Sequence, residues 1–213
     1  MPVVANGSEA ALLASAAAAL DAVSSFHVTG MYDPGLSIDL VASGANTQGT
    51  ITTHGATWQE IGIDGHAYLR GRALWGATVP GRAAELGDQW VAVDDPNAGY
   101  QTAQLGANIR RALTLVVFGT HPGLVNTGAV TINGRRAIEL HSATDIYDIA
   151  DDGTNYPLRW LDTNDPAANG QPCGVTLTDF GKPVTITAPV ATATLTPPPS
   201  PAASAAHSPT PSS

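Results

Sequence analysis

The chain has 213 residues, and its 9 Lys+Arg against 18 Asp+Glu give a formal net charge of −9. Only 13% of residues are charged, about half the usual share of roughly 25%, while the 43% hydrophobic content is ordinary, which excludes simple disorder for most of the length. Lys182 is the sole lysine, so no basic surface exists to neutralise several phosphates, and no nucleic-acid partner is expected. The single cysteine, Cys173, excludes an internal disulfide framework and reads as a small packed residue. The long uncharged stretches are dotted with Gly, Asn and Thr, and none supplies the roughly 20 apolar residues of a membrane-spanning helix, so no transmembrane segment is expected.

Residues 1–7 are a short lead without the basic and apolar regions of a secretory signal. Ser8-Glu9 then precedes AALLASAAAALDAV, a run of strong helix formers that predicts a helix to about Ser24 with Ser8 as N-cap. Its alanine-smooth surface suits close packing against a sheet.

From residue 26 to 70 the period changes. FHVTGMYD, LSIDLVAS, GTITTHG, TWQEIGID and HAYLRG are short runs at hairpin spacing, predicting an antiparallel meander with an Asp64-Gly65 turn. Leu36, Ile38 and Leu40 alternate with Ser37 and Asp39, and Ile61 and Ile63 alternate with Glu60 and Gly62, so each strand is expected to turn these apolar residues to the core.

Two helical pieces follow, a short one near Pro80 to Leu86 and a longer one from about Tyr100 to Phe118. In the second, Leu105, Ile109, Leu113 and Val116/Val117 recur at helical spacing, with Arg110 and Arg111 off that stripe. A hairpin around Asn133-Gly134 and the runs YPLRWLDT, CGVTLTDFG and KPVTITAP complete a second meander. The order of helix, hairpins, helices and hairpins predicts an α+β fold with an antiparallel sheet. From Ala188 to Ser213 seven prolines among Ala, Ser and Thr predict a disordered tail, leaving residues 8–187 as one domain.

No phosphate loop, dinucleotide fingerprint, nucleophile elbow or zinc helix occurs, so no catalytic residues and no cofactor are assigned. His54 and His66 fall in neighbouring strands, but spacing supplies no third ligand and no metal site is assigned. Six aspartates, at 145, 148, 151, 152, 162 and 165, do not fit an EF-hand order and are expected in a solvated turn. Trp58, Trp75, Trp90 and Trp160 read as core anchors, with the lining of a ligand pocket as the functional alternative.

The succession LDAVSSFHVTGMY, IDLVASGANTQGTITTHGATWQEIGIDGHAYLRG, LGDQWVAV, GAVTINGRRAIELHS, NYPLRWLD and LTDFGKPVTITAP, over roughly residues 10–188, resembles the LolA/LppX-like (LppX/LprG-type) lipoproteins of actinobacteria. That resemblance implies a half-barrel, a strongly curved antiparallel sheet wrapped around two or three helices. It also implies an apolar cavity for acyl chains and an extracytoplasmic place in the cell envelope.

The expected function is thus a non-enzymatic carrier or binding protein for a lipid or other amphiphile. Leu36, Ile38, Leu40, Ile61, Ile63, Leu105, Ile109, Leu113 and Val116 would contact the apolar part. The alternatives are an envelope module with a closed core that binds a protein partner, and a hydrolase whose residues are dispersed in sequence.

Overall fold

The computed structural model describes residues 7–93, 108–166 and 172–195. Helix α1 (Gly7–Ala22) leads into β1 (Ser25–Asp33), β2 (Leu36–Ser43), β3 (Asn46–Thr53), β4 (Ala56–Ile63) and β5 (His66–Arg70). Helices α2 (Arg72–Thr78) and α3 (Ala83–Leu86), with a 3-10 turn between them, precede β6 (Val91–Val93). A helical segment described over 108–117, α4, ends in a π-helical turn at Leu113–Val117. Strands β7 (Val125–Ile132), β8 (Arg135–His141), β9 (Asp145–Ala150), β10 (Pro157–Pro166), β11 (Pro172–Thr178) and β12 (Ala193–Leu195) follow.

All twelve strands form one curved, unclosed sheet in the order β12-β6-β5-β4-β3-β2-β1-β11-β10-β9-β8-β7. Two meanders meet where β1 pairs with β11, and every pairing is antiparallel except that of β12 with β6. The hairpins turn where expected. Asp64-Gly65 and Asn133-Gly134 both have positive φ at both central residues, as a two-residue primed turn requires, and so does His54-Gly55, read above as part of a strand run.

Helix α1 starts at Gly7, so Ser8 lies inside its first turn and donates to the Glu9 carboxylate instead of serving as the N-cap. Leu13, Ala16 and Leu20 are buried in a core shared with Ile38, Leu40, Ile51 and Trp58 of the first meander and Leu140, Tyr147 and Trp160 of the second. Three of the four tryptophans are buried; Trp90 is half-buried, with Arg70 over its ring. Cys173 is buried as well.

The assignment of Ile61 and Ile63 to the core face is reversed. Trp58 and Glu60 pair across β3 and β5 with Ile51, Gly49 and Leu69, and the core-facing Ile51 and Leu69 fix the phase of β4. The bulk of Trp58 goes inward, Glu60 goes with it at 1% exposure, and Ile61 and Ile63 take the other face, half-buried. There Ile61 is flanked by Val41, Gln48 and Trp90.

Helix α2, which packs on β4, buries Trp75, one of the expected core anchors, and with it Leu74, which the sequence reading did not single out. The run KPVTITAP forms no strand. Both sides of β1 are already taken by β2 and β11, so the segment crosses the strand ends, where Ser25 donates to the Lys182 carbonyl (2.6 Å) and Ser43 to that of Val184 (3.3 Å).

The acidic stretch is not a solvated turn. Asp145 and Asp148 lie in β9, and only Asp151 and Asp152 occupy the following turn, paired with Arg136 (2.9 Å) and Arg135 (2.6 Å). Asp162 is on β10, and the side chain of Asp165 lies outside the described residues. Asp148 is fully buried between Glu139 and Arg159 on neighbouring strands, and it accepts from Arg159 Nε at 2.6 Å. Burial pushes its carboxyl above the ordinary range despite that bond.

Asp145 behaves in the opposite way. Burial pushes it up, but donors on Thr144, Trp160 (2.8 Å) and Ser142 (3.1 Å) together outweigh that and hold it below the usual value. A depressed carboxylate contributes stability that is present above the unfolded value of about 3.9 and lost as pH falls through the folded one. Asp145→Asn is therefore expected to cost about 1–2 kcal/mol at pH 7, after discounting for solvent, and progressively less as pH falls below the ordinary carboxylate range. Melting curves over a descending pH series check this; a deficit that stays constant throughout would show that the charge is irrelevant.

Part of the stretch expected to be disordered is a strand. Within the stretch assigned to disorder, Ala193–Leu195 adds to β6, Thr192 N–H donates to the Trp90 carbonyl (3.1 Å), and Leu195 is buried. The alternating VATATLT run carries this pairing, masked by the proline-rich composition after it. Truncation after Ala188 should thus remove about 2 kcal/mol of burial and lower the melting temperature by roughly 5 °C. An unchanged midpoint would show that β12 contributes nothing.

Candidate functional site: an amphipathic cleft between two helices

In α4 the amide of Phe118 bonds to the carbonyl of Leu113, five residues back, at 2.8 Å. The wider π turn brings Ile109, Leu113, Val117 and Phe118 onto the buried side and rotates the intervening residues outward. Leu115 and Val116 are consequently 62% and 67% exposed. The placement of Val116 on the inner stripe is therefore corrected, because an even α-helical period was assumed through a turn that is not α-helical.

Small residues on α1 leave space beside this segment. Ala10, Ala14 and Ala17, with Leu13, Phe118 and Leu124, wall a groove of about 320 Å³. A second hollow of about 550 Å³ adjoins it where the end of α1, the β2–β3 turn and the start of α4 meet. Thr114 and Leu115 line both, so the two form one cleft. One end is apolar; the other carries Asp21, Thr47, Asn108, Arg110 and Arg111.

Arg110 organises the polar end. Its Nη1 donates to the carbonyls of Leu20 and Asp21, the negative terminus of α1, and its Nε donates to the Gly44 carbonyl at 3.2 Å. The guanidinium lies 4.9 Å from the Phe26 ring centre. Burial draws its pKa below the usual arginine value, with Asp21 opposing. Its Nη2 is buried without a hydrogen-bond partner among the described residues, and so are the hydroxyls of Thr47 and Thr114.

No family model matches the chain, and no curated protein is similar to it in sequence. Solved structures are similar to it in fold. LprF from Mycobacterium bovis superposes with a TM-score of 0.63 at 16% identity, over 88% of this chain and 99% of that one. Lipoprotein LppX of Mycobacterium tuberculosis gives 0.51 at 14% identity, over 86% and 100%. The chain has the LolA/LppX-like fold. The resemblance first visible in the order of sequence runs is thus matched in three dimensions.

Within this LolA/LppX-like fold the expected ligand contacts separate into groups. Ile38, Leu40, Ile109 and Leu113 come together in the main core, each essentially fully buried, with Leu36 half-buried against it. Ile61 and Ile63 are on the opposite face of the sheet and Val116 is at the surface; Leu105 lies outside the described residues. His54 and His66 flank opposite ends of β4 and do not meet. No group of three or more His, Cys, Asp or Glu able to hold a metal occurs among the described residues. Among these residues no helix is long and apolar enough to cross a membrane.

Sequence reasoning missed Thr47, Arg110 and Thr114 as a group. The available signal was Arg110 itself, one of few cations in the chain, set beside the apolar Ile109.

Proposed function

We propose that the protein is a carrier or binding protein for a lipid or other amphiphile in an extracytoplasmic compartment of the cell envelope, without catalytic activity. The observation that carries this reading is the cleft with one apolar and one polar end, a shape that fits a molecule with a chain and a head. The shared fold of LprF and LppX supports it. In this reading the sheet holds the helices from one side, and the acyl chain lies between α1 and α4. Ile38, Leu40 and Leu113 are already packed, so they support the cleft from beneath, and the exposed Leu115 stands at its mouth.

A protein-binding module with a closed core is the second reading, favoured by that filled interior and by the exposed Leu115–Val116 pair. Titration of the delipidated full chain with a fluorescent fatty-acyl probe separates the two. Saturable binding, displaced by unlabelled acyl chains, is expected. Failure to bind any acyl probe would leave the protein-binding module.

A further inference from the structure

A separate hollow, of about 330 Å³, lies on the face of the sheet turned away from α1. The registers of β2, β3 and β4 set Asp39, Thr50 and Gln59 in one row across it and Val41, Gln48 and Ile61 in the next, and Trp90 lines it with them. All seven are open to solvent at least in part, because Leu40 and Glu60, which alternate with them, take the core side.

The lining is mixed in a particular way. Val41, Ile61 and the indole of Trp90 give apolar surface, while two amides and a hydroxyl, able both to donate and to accept, stand around it. The one exposed charge in the lining is the Asp39 carboxylate, which accepts from His27 Nε2 at 2.7 Å through Oδ1 and keeps Oδ2 for a further donor. Trp90 is set before any ligand arrives. Thr192 N–H donates to its carbonyl (3.1 Å), and the Arg70 guanidinium, itself bonded to the Asp88 carbonyl, lies 6.0 Å from its ring centre.

An acyl chain would leave the polar groups of this lining without partners, and an anion would meet Asp39 with no lysine or arginine among the described lining residues, in a chain of net charge −9. A sugar ring matches both kinds of surface. Its C–H face lies on aromatic and aliphatic groups, and each of its hydroxyls donates and accepts. We propose that this hollow binds a neutral sugar ring, with the ring face against Trp90 and Ile61 and adjacent hydroxyls on Asp39 Oδ2 and the amides of Gln48 and Gln59. The site goes beyond the carrier reading and does not depend on it, since the sheet separates this hollow from the cleft.

The test is saturation-transfer NMR of the full chain with methyl glucoside, methyl mannoside and methyl galactoside, and with glucuronate as the charged control. Transfer from the protein to the ring protons of at least one neutral glycoside is expected, with glucuronate weaker. Gln59→Ala removes an exposed amide, so it should leave the melting temperature unchanged and weaken that glycoside about tenfold in titration. Trp90→Ala should abolish the transfer; Gln59→Ala decides the matter if loss of the ring also loosens the β5–β6 edge.

No transfer to any of the three glycosides, or binding undiminished in Gln59→Ala, would overturn the sugar site. Glucuronate bound as well as the neutral glycosides would overturn the neutral ligand class. The fluorescent fatty-acyl probe should leave the transfer unchanged. Displacement of the glycoside by that probe would place the sugar in the cleft between α1 and α4, overturning this site while supporting the carrier reading.

Discussion

Gly49→Ala is expected to destabilise the fold by about 3–5 kcal/mol, lowering the melting temperature by roughly 10 °C. Gly49 lies in the middle of β3 with φ at 156°, opposite Leu40 of β2 and Glu60 of β4. A Cβ there would stand 2.9 Å from the Leu40 Cα and closer still to the Asp39 carbonyl oxygen. Both obstacles are backbone, so relief requires β2 and β3 to separate. Gly30 of β1 repeats the pattern against the Gly174–Val175 backbone, and such mid-strand glycines let neighbouring strands approach as the sheet bends. Gly76→Ala in α2 is the control: it has open space around it, and alanine there should gain up to about 0.8 kcal/mol from helix propensity. Equal melting temperatures for the two variants would show that β2 and β3 are not in such close contact.

The second large effect concerns binding. Ala14 is exposed on α1 and forms part of the groove wall, so Ala14→Trp puts a ring into the groove without entering the core. If the ring displaces about five methylenes of a bound chain, at ~0.8 kcal/mol each, roughly 4 kcal/mol of binding is lost, or about a thousandfold in affinity. The melting temperature should change little. Leu113→Trp makes the contrast. Leu113 is fully buried, so a ring there overpacks, costing about 1–3 kcal/mol of stability while reporting nothing about a ligand.

The succession of short strands and their turns was legible because period-2 alternation and Asn-Gly or Asp-Gly pairs report directly on local backbone geometry. Strand facing was less so. In β4 the two isoleucines outvote one tryptophan in a hydrophobicity pattern, but the tryptophan's volume and its cross-strand partners decide which face is buried. The π turn hid Val116, since nothing in the composition of Ile109 to Val117 announces a change of helical pitch. Asp148 defeated composition altogether: an aspartate in a cluster reads as solvated until its strand neighbours Glu139 and Arg159 are in place. The cleft was illegible for the same reason. Thr47, Arg110 and Thr114 are far apart in the chain, and only the packing of α1 beside α4 makes them neighbours of one hollow.

The central claim is that the cleft between α1 and α4 holds an amphiphile, and the most direct test is mass spectrometry of the full-length protein purified gently from its own host. The account predicts a co-purifying amphiphile, near one per chain, in the wild type and its marked depletion in Ala14→Trp prepared in parallel. The same amphiphile retained in equal amount by the Ala14→Trp protein would place the ligand elsewhere and contradict the account.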